Sequence, residues 1–121
     1  MSNQIQSTNA KYDLEERTAL FGEDIIRFAR LMSKDPISLP LISQVVRSAT
    51  SIGANYCEAD GAESKKEFKH KISICKKEAK ETKHWLRMIQ VANPNLKEQS
   101  RNLWKEAQEL ILIFSSIIRN S

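Results

Sequence analysis

The chain has 121 residues, of which 40% are hydrophobic and 28% charged, and it contains only three glycines and three prolines. This length supports one domain with its own core, and this composition favours an all-α protein. No stretch approaches the roughly 20 apolar residues that cross a bilayer, and no signal peptide is recognisable at the start. We therefore expect a cytoplasmic protein with no membrane partner.

The formal net charge of +4 is unevenly distributed along the chain. Residues 1–60 contain six Lys/Arg against eight Asp/Glu, whereas residues 61–121 contain thirteen against seven. A basic half of this kind suits an anionic partner. Cys57 and Cys75 lie far apart inside helical patterns and lack metal-binding spacing, so we expect two reduced thiols.

The hydrophobic periodicity predicts four helices after a flexible N-terminal leader at residues 1–12. Asp13 is the expected N-cap of the first helix, and Ser64 with Glu67 forms a predicted capping box for the third. Short connections between long helices indicate an all-α, antiparallel, up-down-up-down four-helix bundle over residues 13–121. The predicted helices run over about 13–34, 39–60, 65–92 and 94–119.

The fourth helix is apolar on every side around residues 110–114. In a single bundle Leu112 and Ile113 would face water, and Trp85 and Met88 lie off the inner side of the third helix. Isolated apolar residues on a surface are normal, but a contiguous strip is better explained by self-association. We therefore predict a homo-oligomer with these four residues in its interface.

Candidate catalytic and metal-binding groups are few. Glu67 with His70, and Glu81 with His84, have the Glu-x-x-His spacing of di-iron bundles, but both pairs lie on one helix about 21 Å apart. They cannot share a metal ion within one chain. The sequence also lacks a glycine-rich nucleophile turn or a phosphate-binding loop. We predict no enzymatic activity, no catalytic residues, no metal and no cofactor.

The third helix carries the strongest functional pattern. Between Lys65 and Arg87 there are nine Lys/Arg and three Glu, in a stripe about 33 Å long. Such a stripe would bind RNA or DNA without sequence specificity, through the phosphates. A solvated lysine face and a protein partner are the alternatives. The candidate nucleic-acid-binding residues are Lys65, Lys69, Lys76, Lys77, Lys80, Lys83 and Arg87, widened by Lys66.

The second helix has a polar row at Arg47, Ser51, Asn55 and Glu58. If that side packs against the third helix, Arg47 requires a carboxylate such as Glu58 or Glu81. A structural polar network of Arg47, Asn55, Glu58 and Glu81 is one interpretation, and a functional pocket is the other.

These residues also carry a resemblance to a known family. Residues 47–58, RSATSIGANYCE, followed by Ser64 to Phe68 and then Glu81, resemble the signature of the bacterial 23S rRNA intervening-sequence proteins. Arg47, Asn55, Glu58, Phe68 and Glu81 occupy the positions of that signature. Tyr56 and Cys57 replace the usual Ile-Ala, and Ala59 stands where glycine is common.

The resemblance implies an antiparallel four-helix bundle that assembles into a ring-like homopentamer and has no enzymatic activity. Similar accessory proteins of diversity-generating retroelements bind nucleic acid and a reverse transcriptase through a basic pentameric barrel. A nucleic acid and a reverse transcriptase or other protein are therefore the partners that the resemblance suggests for this chain.

Overall fold

The computed structural model describes residues 13–121, and the predicted leader at residues 1–12 lies outside that range. Within it the chain forms four α-helices and no strand, which confirms the all-α, four-helix prediction. A single 3₁₀ turn at Pro94–Leu96 precedes the last helix. The helices are α1 (Leu14–Ala29), α2 (Ser38–Asp60), α3 (Lys65–Ala92) and α4 (Lys97–Arg119).

Neighbouring helices contact each other in reverse residue order. On the border of α2 and α3, the Thr82 hydroxyl donates to Ser48 Oγ at 2.9 Å, and the Cys75 thiol donates to the Ile52 carbonyl at 3.5 Å. The hydrogen bonds between α3 and α4 reverse in the same way. Paired helices that advance in opposite directions along the chain are antiparallel, as the short connections indicated.

One hydrophobic core joins the helices, and its members recur at helical spacing. On α3 the side chains of Ile72, Cys75, Ala79 and Leu86 have no exposed surface, which matches the periodicity of the sequence. Along α4 the apolar run is divided, since Leu110 and Phe114 are fully buried whereas Leu112 is largely exposed. The predicted inner faces are therefore confirmed. Other fully buried core residues are Ile25, Val45, Ala49, Ile52, Ile89 and Ala107.

The ends of α1 and α4 differ from the sequence prediction. The first helix ends at Ala29 rather than near Lys34, because the chain tightens there into a turn in which the Leu31 and Met32 N–H groups bond three residues back. Met32 still reaches the core. The fourth helix begins at Lys97 rather than near Pro94, because Pro94–Leu96 first form the 3₁₀ turn.

The predicted helix caps are largely confirmed. Asp13 accepts a hydrogen bond from the Glu16 N–H, and Ser64 accepts one from the Glu67 N–H at 3.0 Å. The reciprocal bond of the predicted capping box is displaced by one residue, since the Glu67 carboxylate accepts from the Glu63 N–H. Backbone N–H groups at the start of this helix still donate to side-chain oxygen atoms.

Candidate nucleic-acid interface

The structure places the predicted cationic residues along one continuous helix. We call this set the basic face, and most of its charged ends lie in solvent. Lys69, Lys76 and Lys83 are half-buried, and Lys83 is also bonded to α4. The basic face consists of Lys65, Lys69, Lys76, Lys77, Lys80, Lys83 and Arg87 on α3.

The cations of the basic face differ in their surroundings from four cations elsewhere in the molecule. Arg17, Arg27, Arg47 and Lys71 each form a salt bridge with a carboxylate. Within residues 13–121, no member of the basic face forms one. Their positive charge is therefore not compensated locally, and it is available to an anionic partner.

Lys83 connects the basic face to an aromatic residue of α4. Its ammonium group lies 4.3 Å from the centre of the Trp104 ring and donates a hydrogen bond to Gln108 Oε1. Trp104 is half-buried and packs against the core. The sequence analysis missed this residue, because only the packing of α4 against α3 brings it to the basic face.

The cationic surface continues from α3 onto α4. Lys97, Arg101, Trp104 and Gln108 recur at intervals of four, three and four residues, so they share one side of α4. That side borders α3, since Trp104 and Gln108 contact Lys83 there. Lys97 and Arg101 are exposed and, among the described residues, neither forms a salt bridge.

The border of α1 and α2 carries the opposite charge. A shallow depression there is lined by small side chains and by four acidic residues, and no basic residue of the described range lines it. Acidic and basic surfaces therefore lie on different helix pairs, so an approaching anion would be attracted to one side of the molecule and repelled from the other. The acidic residues of the depression are Asp13, Glu15, Glu16 and Glu23.

The predicted polar network of α2 is divided in two. Arg47 forms salt bridges with Glu81 and Glu78, the latter at 3.3 Å, and half of its side chain is exposed. Glu58 instead pairs with Lys71 at 2.6 Å. The predicted pairing of Arg47 with Glu81 is therefore confirmed. A single network that also includes Glu58 was wrong, because eleven residues of one helix separate Arg47 from Glu58 by about 16 Å.

Asn55 takes no part in either ion pair. Its side-chain amide donates to the Ser51 carbonyl one turn earlier, at 2.9 Å. Glu78, which the network prediction omitted, is nearly buried and provides the carboxylate nearest to the core. These ion pairs join α2 to α3.

A family model described as 23S rRNA-intervening sequence protein matches residues 11–116. The chain belongs to this family. This confirms the resemblance drawn from the residues of α2 and α3. A search of curated proteins found no match.

A solved structure is similar to this chain over most of its length. It is a protein of unknown function from the S23 ribosomal protein family of Bacteroides thetaiotaomicron. The two chains share 30% sequence identity with a TM-score of 0.79, and the match covers 86% of this chain and 96% of the other. The similarity supports the four-helix fold and brings no established activity.

In this member of the family, the residues predicted for self-association form two surfaces rather than one strip. Leu112 is 58% exposed and lines a depression with Leu14 and Tyr56, and Ile113, half-buried, lines it too. The second surface contains Trp85 and Met88, and it shares no lining residue with the first. The predicted apolar residues of α4 and those on the outer side of α3 therefore do not form one continuous surface in a single chain.

The surface around Trp85 is apolar and partly open. It lies where the loop before α2 meets the end of α3, and its lining includes Ile37, Leu41 and Met88. Trp85 makes an edge contact with the His84 ring, and its indole N–H is buried with no hydrogen-bond partner in residues 13–121.

No helix within residues 13–121 combines the length and hydropathy that a bilayer-spanning segment requires.

Proposed function

We propose that this protein is a non-catalytic, homo-oligomeric four-helix-bundle protein that binds RNA or DNA through the basic face. The observation that carries the proposal is the absence, within residues 13–121, of any salt bridge on that face. A lysine face that served only for solubility would be expected to intersperse its cations with paired carboxylates. Here Glu78 and Glu81 turn instead toward Arg47 on α2.

The proposed binding is to phosphates and does not depend on sequence. Lysine side chains on a solvent-exposed helix are flexible point charges, suited to phosphate and poorly suited to reading base edges. Each neutralised phosphate releases counterions, so the affinity falls steeply as the salt concentration rises. The acidic depression between α1 and α2 supports the same orientation, because it repels a polyanion from that side.

A matched pair of charge reversals tests the proposal. Lys80 and Arg30 are both exposed, and neither forms a salt bridge within residues 13–121, but only Lys80 belongs to the basic face. We expect Lys80→Glu to weaken binding of a mixed-sequence duplex about 5- to 10-fold and to reduce the salt slope by about one. Arg30→Glu should change little. Equal effects of the two variants, measured by electrophoretic shift, would contradict the proposal.

The homo-oligomeric part of the proposal rests on exposed apolar surface. A monomer gains nothing from Leu112, 58% exposed, next to the half-buried Ile113, whereas a second copy could cover both. Leu31 is 59% exposed at the end of α1 and lies outside both depressions. Light scattering should therefore show that Leu112→Glu lowers the assembly mass and that Leu31→Glu does not. A monomeric native protein at micromolar concentration would refute this part.

A protein scaffold without a nucleic-acid partner is the second candidate. The apolar surface around Trp85 favours it, because Ile37 and Val91 are 71% and 78% exposed there and Trp85 is a residue type enriched in binding hot spots. This candidate would gain if the native protein failed to shift either RNA or DNA at low salt while Trp85→Ala still impaired its role in cells.

A further inference from the structure

Trp104 is an aromatic side chain at the α3–α4 border that has a cation directly over its ring. Lys83 lies over its ring, and Arg101 precedes it by three residues on the same side of α4. The Ser100 hydroxyl donates to the Leu86 carbonyl at 2.9 Å, so the residue before Arg101 meets α3 beside Arg87. An indole is thus flanked by cations from both helices.

We propose that Trp104 is a stacking platform for an unpaired base and that the α3–α4 border prefers single-stranded nucleic acid. This inference rests on the proposed nucleic-acid binding and narrows it. A phosphate-only surface favours duplex, which has the higher density of charge. An aromatic ring within a cationic groove adds a contact that only an unstacked base can make.

In this proposal Lys83 covers one face of the Trp104 ring and moves away from it when nucleic acid binds. Its ammonium group at 4.3 Å from the Trp104 centroid is held by a cation–π contact and by the hydrogen bond to Gln108. A phosphate offers the ammonium a full negative charge in place of the partial charges of ring and amide. Movement of Lys83 to a phosphate frees one face of the indole for the neighbouring base, so the two contacts form together.

The chain offers a direct spectroscopic test, because it has only two tryptophans. In Trp85→Phe the emission reports Trp104 alone, and in Trp104→Phe it reports Trp85 alone. Addition of oligo(dT) or oligo(U) of about 20 nucleotides should quench the first variant strongly and the second weakly. A duplex of the same length should quench neither. Unchanged Trp104 emission at saturating single strand would overturn the inference.

Affinities separate this inference from the proposed function. Trp104→Leu should weaken binding of both single strands about tenfold and leave duplex binding unchanged, whereas Trp104→Phe should retain most of the affinity. Thermal unfolding of each variant shows whether the fold is kept. Equal losses on single strand and duplex would overturn stacking but leave phosphate binding intact. If the native protein bound neither nucleic acid at low salt, the proposed function and this inference would fail together.

Discussion

Arg17 on α1 binds the carboxylate of Glu106 on α4 through two parallel hydrogen bonds. Its Nε donates to Glu106 Oε2 at 2.8 Å and its Nη2 to Glu106 Oε1 at 2.9 Å, while Nη2 also reaches Glu109 at 2.8 Å. The hydrogen bond with Glu106 is the largest influence on the guanidinium and raises the pKa of Arg17 above its ordinary value. Among the neighbouring helix pairs, α1 and α4 contact each other least, so this ion pair closes the bundle.

We expect the Arg17–Glu106 pair to stabilise the fold more than an ordinary surface pair. The partly buried, bidentate geometry reduces solvent screening, so a double-mutant cycle of Arg17→Ala and Glu106→Ala should give a coupling free energy of about 1–2 kcal/mol. The control is Arg27 with Asp24, an exposed pair at 2.9 Å within α1, for which we expect a clearly smaller coupling because solvent screens it. Equal couplings in urea unfolding would show that the α1–α4 contact needs no polar link.

Asn93 joins three separate parts of the chain. It is 2% exposed, its Oδ1 accepts from the Ser33 N–H at 3.0 Å, and its Nδ2 donates to Ser38 Oγ at 3.0 Å. Asn93→Ala removes both hydrogen bonds and leaves the buried Ser38 hydroxyl without this partner, so it should lower the free energy of unfolding by about 2 kcal/mol. Asn55→Ala is the matched control, since its amide bonds only within its own helix. A similarly small effect of both changes would contradict this role.

Periodicity predicted the helices because each core side chain repeats at a spacing that the sequence displays directly. The basic face was visible for the same reason, since its residues share one helix. Asn93 could be recognised only as the residue before a proline, because its partners lie 60 and 55 residues away. Trp104 was missed on the same ground, as only helix packing brings it to Lys83.

One error came from treating a shared row of a helix as a contact. Arg47 and Glu58 lie on one side of α2, yet each pairs with a different residue of α3. Leu112 and Trp85 are also both apolar and outside the predicted inner faces, and they line different depressions, so their shared place in a homo-oligomer interface stays a prediction. A helix has several turns and several neighbours, so a position on a face does not specify which neighbour it meets.

Gly22 offers a simple gain in stability. It lies inside α1, where glycine costs about 0.5–1 kcal/mol relative to alanine. A Cβ atom built there would lie 3.6 Å from Thr50, which is ordinary van der Waals contact. Gly22→Ala should therefore raise the free energy of unfolding by about 0.5–1 kcal/mol.

Gly53→Ala provides the comparison for Gly22→Ala. Its Cβ would lie 3.4 Å from Thr18 Oγ1 and 3.5 Å from the Thr18 carbonyl group, so less of the helical gain should be kept. Thermal and urea unfolding of both variants measure the difference. A loss of stability in Gly22→Ala would mean that α1 and α2 approach each other more closely than the contact to Thr50 indicates.

The two free cysteines should differ sharply in reactivity. Cys57 is exposed, whereas Cys75 has no exposed surface and donates its S–H to the Ile52 carbonyl. Burial raises the pKa of Cys75 to about 12, so its thiol stays protonated near neutral pH. We expect a thiol reagent at about pH 8 to modify one cysteine in the native protein and both in denaturant.

The raised pKa of Cys75 also has a consequence for stability at alkaline pH. The unfolded chain deprotonates this thiol near its ordinary pKa while the folded chain keeps the proton, so the stability contribution is complete below about pH 8.5. It is then lost progressively as the pH rises toward about 12. The unfolding free energy of Cys75→Ala should decline less over this interval than that of the native protein, measured in urea at several pH values. Parallel declines would show that the burial of Cys75 contributes nothing to the alkaline limit.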